Sequence, residues 1–243
     1  MRNYFLHNKL EDDTWYGFLS PKFTLKTSLN SESVLKFIHH FDRDADVVLF
    51  SSDWDQIAYF LNPLEQGEFF HPGLLAHASA FLEYAGSPLD PSRWVAHSQS
   101  TVSCNYLVAK PKFWRAWLQL AEQLFQFVEG GRSNLAKSLA QDVPYLSANQ
   151  LVQMKVFIQE RLASIILGCT PLRVANIDLS SFFPVFEGLF FEDARSRGLL
   201  KACDTLKQEY VQTADLEYLR MYRKIRVSLP TKVAIPMPAW PAA

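Results

Sequence analysis

The chain has 243 residues and a formal charge of −1, and 49% of its residues are apolar and 14% aromatic. This length and composition support one large domain with a substantial core and exclude a disordered chain. The near-neutral charge argues against a nucleic-acid-binding protein, because such proteins usually carry a basic face.

The sequence contains no segment typical of a membrane or secreted protein. No apolar run reaches the length of a membrane-spanning helix, and the opening MRNYFLHNKLEDD lacks the apolar centre of a signal peptide. Its three cysteines, Cys104, Cys169 and Cys203, are too few and too widely spaced for a disulfide framework or a zinc site. We therefore expect a cytoplasmic protein with free thiols, and peripheral association with a membrane stays open.

Short strands alternate with helices along the first two thirds of the chain. Buried strands are predicted at 15–20, 46–51, 101–109 and 171–179. Helices are predicted at 31–41, 54–66, 71–86, 112–129 and 149–167. In the helix at 112–129, Trp117, Leu120 and Leu124 share an apolar side opposite Lys112 and Arg115, which is typical of a helix facing a core.

The last third of the sequence indicates a different organisation. Two helices are predicted over 189–227, and repeated prolines predict an extended tail at 229–243. We therefore expect an α/β core over 1–168, with a mixed sheet flanked by helices. A mainly helical subdomain over 169–228 would pack on this core.

Asp53 and Asp55 follow the apolar run of the second predicted strand. Two carboxylates at the carboxyl end of a buried strand can hold a divalent cation, which can neutralise a diphosphate leaving group. Alternatively, Asp53 caps the following helix, with Gln56 three residues later completing the cap. The pattern is short, and both interpretations remain open.

Two lysines follow the first predicted strand. Gly17 within that strand indicates close approach of another backbone or of a ligand. Lys22 and Lys26 come shortly afterwards and could meet a phosphate. The alternative is that both lysines are solvated and that Gly17 relieves packing.

Three further polar residues lie near the predicted ends of strands and helices. His71 lies in the turn-rich EQGEFFHPG segment and is a candidate base, unless it only packs beside Phe69 and Phe70. Asn105 lies within the third predicted strand and Lys110 at its end, where α/β sheets usually present ligand contacts. Alternatively, Asn105 is a buried residue that satisfies backbone groups.

Glu160 and Arg161 interrupt the apolar helix predicted at 149–167. Arg161 falls on the apolar side, where an unpaired charge would be very costly, so we expect a partner for its guanidinium. The pair either binds a ligand or ties this helix to a neighbour, and the second role is favoured. The sequence contains no nucleophile elbow, Walker loop, dinucleotide fingerprint or zinc spacing.

Taken in order, these segments resemble bacterial glycosyltransferases of the GT-A type that build capsules and lipopolysaccharide. The resemblance covers about residues 14–168. It rests on YGF near the start, ADVVLF, EQGEFFHPGL, NYLVAKPKF and ERLASIIL. Two features depart from the family pattern. The chain starts in a helix-like segment instead of the strand that holds the nucleotide base, and the basic motif after the first glycine appears only as SPKF.

The resemblance implies a GT-A-like fold and transfer of a sugar from a nucleotide-sugar donor to a glycan or lipid-linked acceptor. A manganese or magnesium ion would bind Asp53 and Asp55. The catalytic residues would be Asp55, His71 and Glu160. The donor-binding residues would be Tyr16, Gly17, Lys22, Asn105, Lys110 and Arg161.

Two other functions fit the same sequence. The α/β core could be a non-catalytic interaction module in envelope-glycan assembly, which exposed Trp or Phe side chains on one face would favour. A metal-dependent hydrolase could use the same aspartates, but it would need further ligands that the sequence does not indicate.

Overall fold

The structure is a computed structural model that describes residues 1–41, 43–145 and 149–237. In these ranges the α-helices are α1 (Arg2–His7), α2 (Phe23–Thr27), α3 (Ser31–Phe41), α4 (Trp54–Tyr59), α5 (Pro63–Phe70), α6 (Leu74–Tyr84), α7 (Pro111–Glu129), α8 (Asn134–Leu139), α9 (Met154–Cys169), α10 (Ala194–Thr213) and α11 (Leu216–Ser228). The strands are β1 (Tyr16–Gly17), β2 (Val47–Leu49), β3 (Leu107–Ala109), β4 (Asp142–Pro144), β5 (Leu151–Gln153) and β6 (Val174–Asn176). A 3-10 helix (Leu179–Ser181) follows β6. The predicted mixed α/β class with a helical C-terminal part is confirmed.

Four strands form one mixed sheet in the order β1-β3-β2-β6. Strand β3 runs antiparallel to β1 and β2, whereas β6 runs parallel to β2. Val47 and Leu49 pack into one hydrophobic cluster and Val48 into another, because successive side chains of a strand point to opposite faces. Both faces of the sheet are therefore covered, which explains the unbroken apolar run at 46–51.

Helices α7 and α9 contribute much of the larger hydrophobic cluster. The apolar side predicted for α7 is confirmed, since Trp117, Leu120 and Leu124 are buried while Lys112 is exposed. Pro111 occupies the start of α7, where its missing N–H leaves no helical hydrogen bond unmade. Helix α9 is buried on nearly all sides, so any polar group it carries needs an internal partner.

Several predicted boundaries are wrong. The helix predicted from residue 149 begins at Met154, because β5 pairs with β4 in a two-stranded hairpin. The helix predicted at 54–66 is divided into α4 and α5, because Asn62 accepts hydrogen bonds from the first N–H groups of α5. The strand predicted at 101–109 shortens to β3, because Cys104 and Asn105 have left-handed backbone angles that a strand excludes.

The C-terminal helices pack on the core through α4. Lys207 of α10 donates hydrogen bonds to the carbonyls of Ile57 and Phe60, at 2.5 and 2.7 Å. Tyr222 of α11 donates to the carbonyl of Tyr59 at 2.6 Å. These contacts satisfy carbonyls at the end of α4 that have no partner within the helix. Helix α10 starts at residue 194, later than predicted, because Asp193 caps it by accepting from the Ser196 N–H.

The region after residue 168 does not separate cleanly from the core. The predicted boundary falls within α9, and β6 beyond it pairs with β2 in the main sheet. Part of the predicted tail lies against the body, since the Lys232 N–H donates to the Leu189 carbonyl at 2.8 Å. Residues 238–243 of that tail lie outside the described residues. None of the helices in the described ranges has both the length and the apolarity needed to span a membrane.

Candidate functional site

A cavity of about 400 Å³ opens beyond the carboxyl end of β2. We call it the Asp53 cavity, and its volume is in the usual range for small-molecule sites. One wall comes from α4 and α5, a second from residues 101–104 before β3, and a third from α9. The charged residues among its lining are Lys26, Asp53, Glu160 and Arg161.

Lys26 interacts electrostatically with two carboxylates of this cavity, Asp53 and Glu160. Its ammonium donates to the Cys104 sulfur at 3.1 Å. Burial lowers the pKa of Lys26, but the Cys104 hydrogen bond and the charge of Asp53 outweigh burial and hold that pKa above its usual value. Partial burial raises the pKa of both Asp53 and Glu160, and the Lys26 charge acts against each rise. The arrangement places a permanent cation beside two carboxyl groups that bind protons more readily than usual.

Arg161 is held by the protein itself. Its guanidinium donates to the carbonyls of Pro63 and Phe157 at 2.8 and 2.7 Å, and to Gln66 Oε1 at 2.7 Å. Burial lowers its pKa to about 10, and the charge of Glu160 acts in the opposite direction. Arg161 therefore ties α9 to α5, the role favoured from sequence, and also contributes to the cavity wall.

His71 lies directly after α5 and lines the cavity with its ring against an aromatic partner. The imidazole stacks on Phe157, with ring centroids 3.5 Å apart and planes 17° apart. Burial lowers the pKa of His71 to about 4, and the charge of Arg161 lowers it further. The ring is therefore neutral at physiological pH and has a nitrogen that can accept a hydrogen bond or a proton.

Asp53 and Asp55 point to different places. Asp53 occupies the N-cap position of α4, yet its side chain makes no capping hydrogen bond and lines the cavity. The predicted capping role of Asp53 is therefore wrong. The Asp55 carboxylate is 2% exposed and accepts from the Phe186 N–H at 2.5 Å. Burial raises the pKa of Asp55 to about 6.

The metal site predicted from Asp53 and Asp55 is not matched by this geometry. Asp55 is not among the lining residues, so the pair does not present both carboxylates to one cavity. Across the described ranges, no three His, Cys, Asp or Glu side chains converge as a metal site would require. A magnesium or manganese ion held by Asp53 alone would need a substrate's phosphates as its other ligands. Metal binding stays a prediction.

Lys110 and Asn105 do not line the cavity, although both were predicted to bind the donor. Lys110 follows β3 and lies beside the amino end of β2, away from the cavity. Its N–H donates to the Asp46 carbonyl, and its ammonium lies 5.0 Å from the Trp15 ring centre. Asn105 is next to the lining residue Cys104, in a turn with φ of 54° and not in the strand. Its predicted position within a strand is wrong.

The residues of the first strand are also absent from the cavity lining. The Tyr16 hydroxyl accepts from the Glu11 N–H at 2.9 Å. At Gly17 the alternative prediction, relief of packing, fits the structure: the Val108 side chain lies close, and its Cγ2 would be 2.7 Å from a Cβ at Gly17. Lys22 is exposed at the start of α2, one turn before Lys26. Of the two lysines considered together, only Lys26 reaches the cavity.

The structure adds lining residues that the sequence did not single out for a ligand. Gln56 and Gln66 bond to each other at 3.0 Å across the junction of α4 and α5. Tyr145 and Phe186 contribute aromatic surface from distant parts of the chain. No short motif indicates a ligand role for these four residues, because only the tertiary fold brings them together.

Comparison with known proteins supplies no relative: no protein-family model matches the chain, and neither does any curated protein or solved structure. Of the predicted site residues, the structure brings together Asp53, His71, Glu160 and Arg161.

Proposed function

We propose that the protein is a GT-A-like glycosyltransferase that moves a sugar from a nucleotide-sugar donor to a glycan or lipid-linked acceptor of the cell surface. The single observation that carries the proposal is convergence at the Asp53 cavity. The segments that resemble glycosyltransferases at ADVVLF, EQGEFFHPGL and ERLASIIL lie far apart in sequence. Asp53, which follows the first of them, nevertheless lines the same cavity as His71 and Glu160. The distribution of these residues around one cavity is what a transferase site requires.

The proposed reaction is a displacement at the anomeric carbon of the donor sugar. The acceptor oxygen forms a bond to that carbon while the bond from the carbon to the diphosphate oxygen breaks. The diphosphate leaves with the electron pair, and Lys26 is the cation available to stabilise its charge. The acceptor proton passes to the Glu160 carboxylate, whose side chain is 45% exposed and whose raised pKa suits a general base.

His71 and Asp53 have supporting roles in this scheme. The neutral His71 ring can accept a hydrogen bond from a sugar hydroxyl, because its pKa of about 4 keeps it uncharged. Asp53 is the cavity's available ligand for a divalent ion that arrives with the donor, and such an ion would neutralise diphosphate charge when bound. Tyr145 and Phe186 offer surfaces on which a base or sugar ring can stack.

The test is donor binding by Lys26 and Lys22 variants. UDP, GDP and their sugar conjugates are titrated with and without Mg²⁺ or Mn²⁺, using calorimetry. We expect Lys26→Met to weaken binding at least about tenfold, because a hydrogen bond to a charged group is lost. Lys22→Met, at an exposed lysine one turn earlier, should bind like the wild type. Failure of every donor to bind, or an equal loss in both variants, would overturn the proposal.

A second candidate function is a non-catalytic interaction module, and one observation favours it. The segment before α10 exposes three phenylalanines: Phe182 at 75%, Phe186 at 47% and Phe191 at 45%. Exposed aromatic side chains close together in sequence are typical of contact surfaces. Phe186 also lines the Asp53 cavity, so the exposed phenylalanines and the donor site proposed above share one residue. The two functions are distinguished by the wild type and Lys26→Met together: donor binding by the wild type that Lys26→Met weakens would favour the enzyme over the module.

A further inference from the structure

A second cavity, of about 330 Å³, lies on the other side of α4. We call it the Asn176 cavity, after the last residue of β6. Ser51, two residues beyond β2, and Asn176 both line it, so it opens at the carboxyl ends of the parallel pair β2 and β6. Ligands of open α/β sheets bind preferentially outside such carboxyl ends. Ile57 lines both cavities, so α4 is the partition between them.

Helix α10 supplies a polar wall that is already ordered. Asp204 accepts hydrogen bonds from the Ser98 N–H at 2.9 Å, from the Ser98 hydroxyl at 2.6 Å and from Gln208 Nε2 at 2.6 Å. These bonds fix the carboxylate and the amide in place without consuming all their hydrogen-bonding capacity. The region after residue 168, in which the sequence offered no functional motif, therefore contributes directly to this cavity.

Ser180 belongs to this wall through its backbone. The residue lines the cavity and is only 4% exposed. Its N–H donates to Asp178 and its carbonyl accepts from Arg197, so Ser180 ties the segment after β6 to α10. Its hydroxyl oxygen is shielded from the cavity and has no hydrogen-bond partner in the described part of the chain, so it adds no ligand contact.

We propose that the Asn176 cavity binds a neutral sugar ring. Its amide, hydroxyl and carboxylate groups match the hydroxyls of a sugar, and Ile177 and Leu179 add apolar surface for the ring face. Two carboxylates, Asp178 and Asp204, stand against one ammonium, Lys201, and this balance disfavours a phosphate. The small volume suits a single ring rather than a long oligosaccharide. This binding does not depend on the glycosyl transfer proposed above.

The test measures binding of methyl glycosides of glucose, galactose, mannose and N-acetylglucosamine to the full chain. Ligand-observed NMR detects the binding. The variants are Gln99→Ala and Lys201→Ala, because neither side chain hydrogen-bonds to another group in the described residues. Gln119→Ala and Lys224→Ala, at exposed positions on α7 and α11, are the matched controls. We expect each cavity variant to weaken the affinity about three- to tenfold, the factor for one net hydrogen bond, and each control to leave it unchanged.

Ser180→Ala is a control within the cavity wall. Because the hydroxyl oxygen is shielded from the cavity and has no partner in the described residues, we expect its removal to leave stability unchanged or improved and sugar binding unchanged. The proposal is overturned if no glycoside binds up to its solubility limit. It is also overturned if sugar binding responds only to Lys26→Met in the Asp53 cavity, or if the Gln99 and Lys201 variants lose UDP binding instead. If the protein proves to have no transferase activity, sugar binding that Gln99→Ala and Lys201→Ala weaken would still support this proposal.

Discussion

A methyl group has no room at Gly67, whose Cβ would lie 2.6 Å from Arg161 Nε and would overlap Leu74. Gly67 belongs to the EQGEFF segment of α5 and lies next to Gln66, a hydrogen-bond partner of Arg161. The missing side chain lets the buried guanidinium reach α5 and satisfy its donors there. At the residue scale, one wall of the Asp53 cavity therefore depends on a position without a side chain.

We expect Gly67→Ala to destabilise the protein by about 1–3 kcal/mol, the usual cost of overpacking, although alanine favours a helix by about 1 kcal/mol. Gly198→Ala is the control, because a Cβ there, within α10, meets nothing within 4 Å. It should stabilise the protein by about 0.5–1 kcal/mol. Urea unfolding measures both changes. Equal stability of Gly67→Ala and the wild type would show that Arg161 does not need this space.

At the scale of elements, a buried ion pair joins the C-terminal helices to α5. Arg226 of α11 is 1% exposed and its guanidinium lies 2.5 Å from Glu65. Glu65 also accepts from the Leu61 N–H at 2.6 Å, between α4 and α5. The pair therefore joins the C-terminal helices to the junction that shapes both cavities.

We expect Arg226→Met to cost about 3–5 kcal/mol, because it leaves the Glu65 carboxylate buried without its cation. Arg220→Met is the matched control on the same helix, since Arg220 and its partner Glu217 are each about half exposed. That change should cost about 0–1 kcal/mol. Chemical denaturation compares the two. Adding Glu65→Gln to Arg226→Met should recover part of the loss, and no recovery would contradict the ion-pair explanation.

The elements also show what could be predicted from sequence. Helical spacing located α7, and the apolar run at 46–51 located β2, because both patterns follow from local geometry. The pairing direction of β3 is a tertiary property. Since β3 runs antiparallel to β2, its first residues, and not its last, lie beside the carboxyl end of β2. Lys110 consequently lies beside the amino end of β2. Cys104, which the sequence did not single out for a ligand, lines the cavity instead.

At the scale of the whole molecule, buried titratable groups change the free energy of unfolding with pH in two opposite directions. Burial raises the pKa of Asp55 to about 6, so from about pH 4 to 6 the native state keeps a proton that the unfolded chain has released. The free energy of unfolding therefore falls as pH rises through that window. Burial lowers the pKa of His71 and His97 to about 4, so their contribution rises from about pH 4 to 6.5. The two slopes partly cancel in the wild type.

Asp55→Asn removes the titrating carboxyl group, and with it the fall in the free energy of unfolding that Asp55 causes as pH rises. The amide oxygen can still accept from the Phe186 N–H, so we expect the variant to gain on the order of 2 kcal/mol at neutral pH and nothing below about pH 4. Its free energy of unfolding should rise with pH across the window, following the two histidines. Urea titrations at several pH values measure the curve, with Asp142→Asn at an exposed carboxylate as control. A gain of the same size at all pH values would contradict the burial explanation.

Helix α4, which separates the two cavities, depends on the C-terminal helices for its stability. Helix α4 has six residues, too few to persist as a helix in water without neighbours. Lys207 and Tyr222 hold its final carbonyls, so the partition lasts only while α10 and α11 stay docked. We therefore expect the C-terminal helices and α4 to open as one cooperative unit. Such opening would merge the two cavities, and a ligand bound in either cavity would stabilise the closed state.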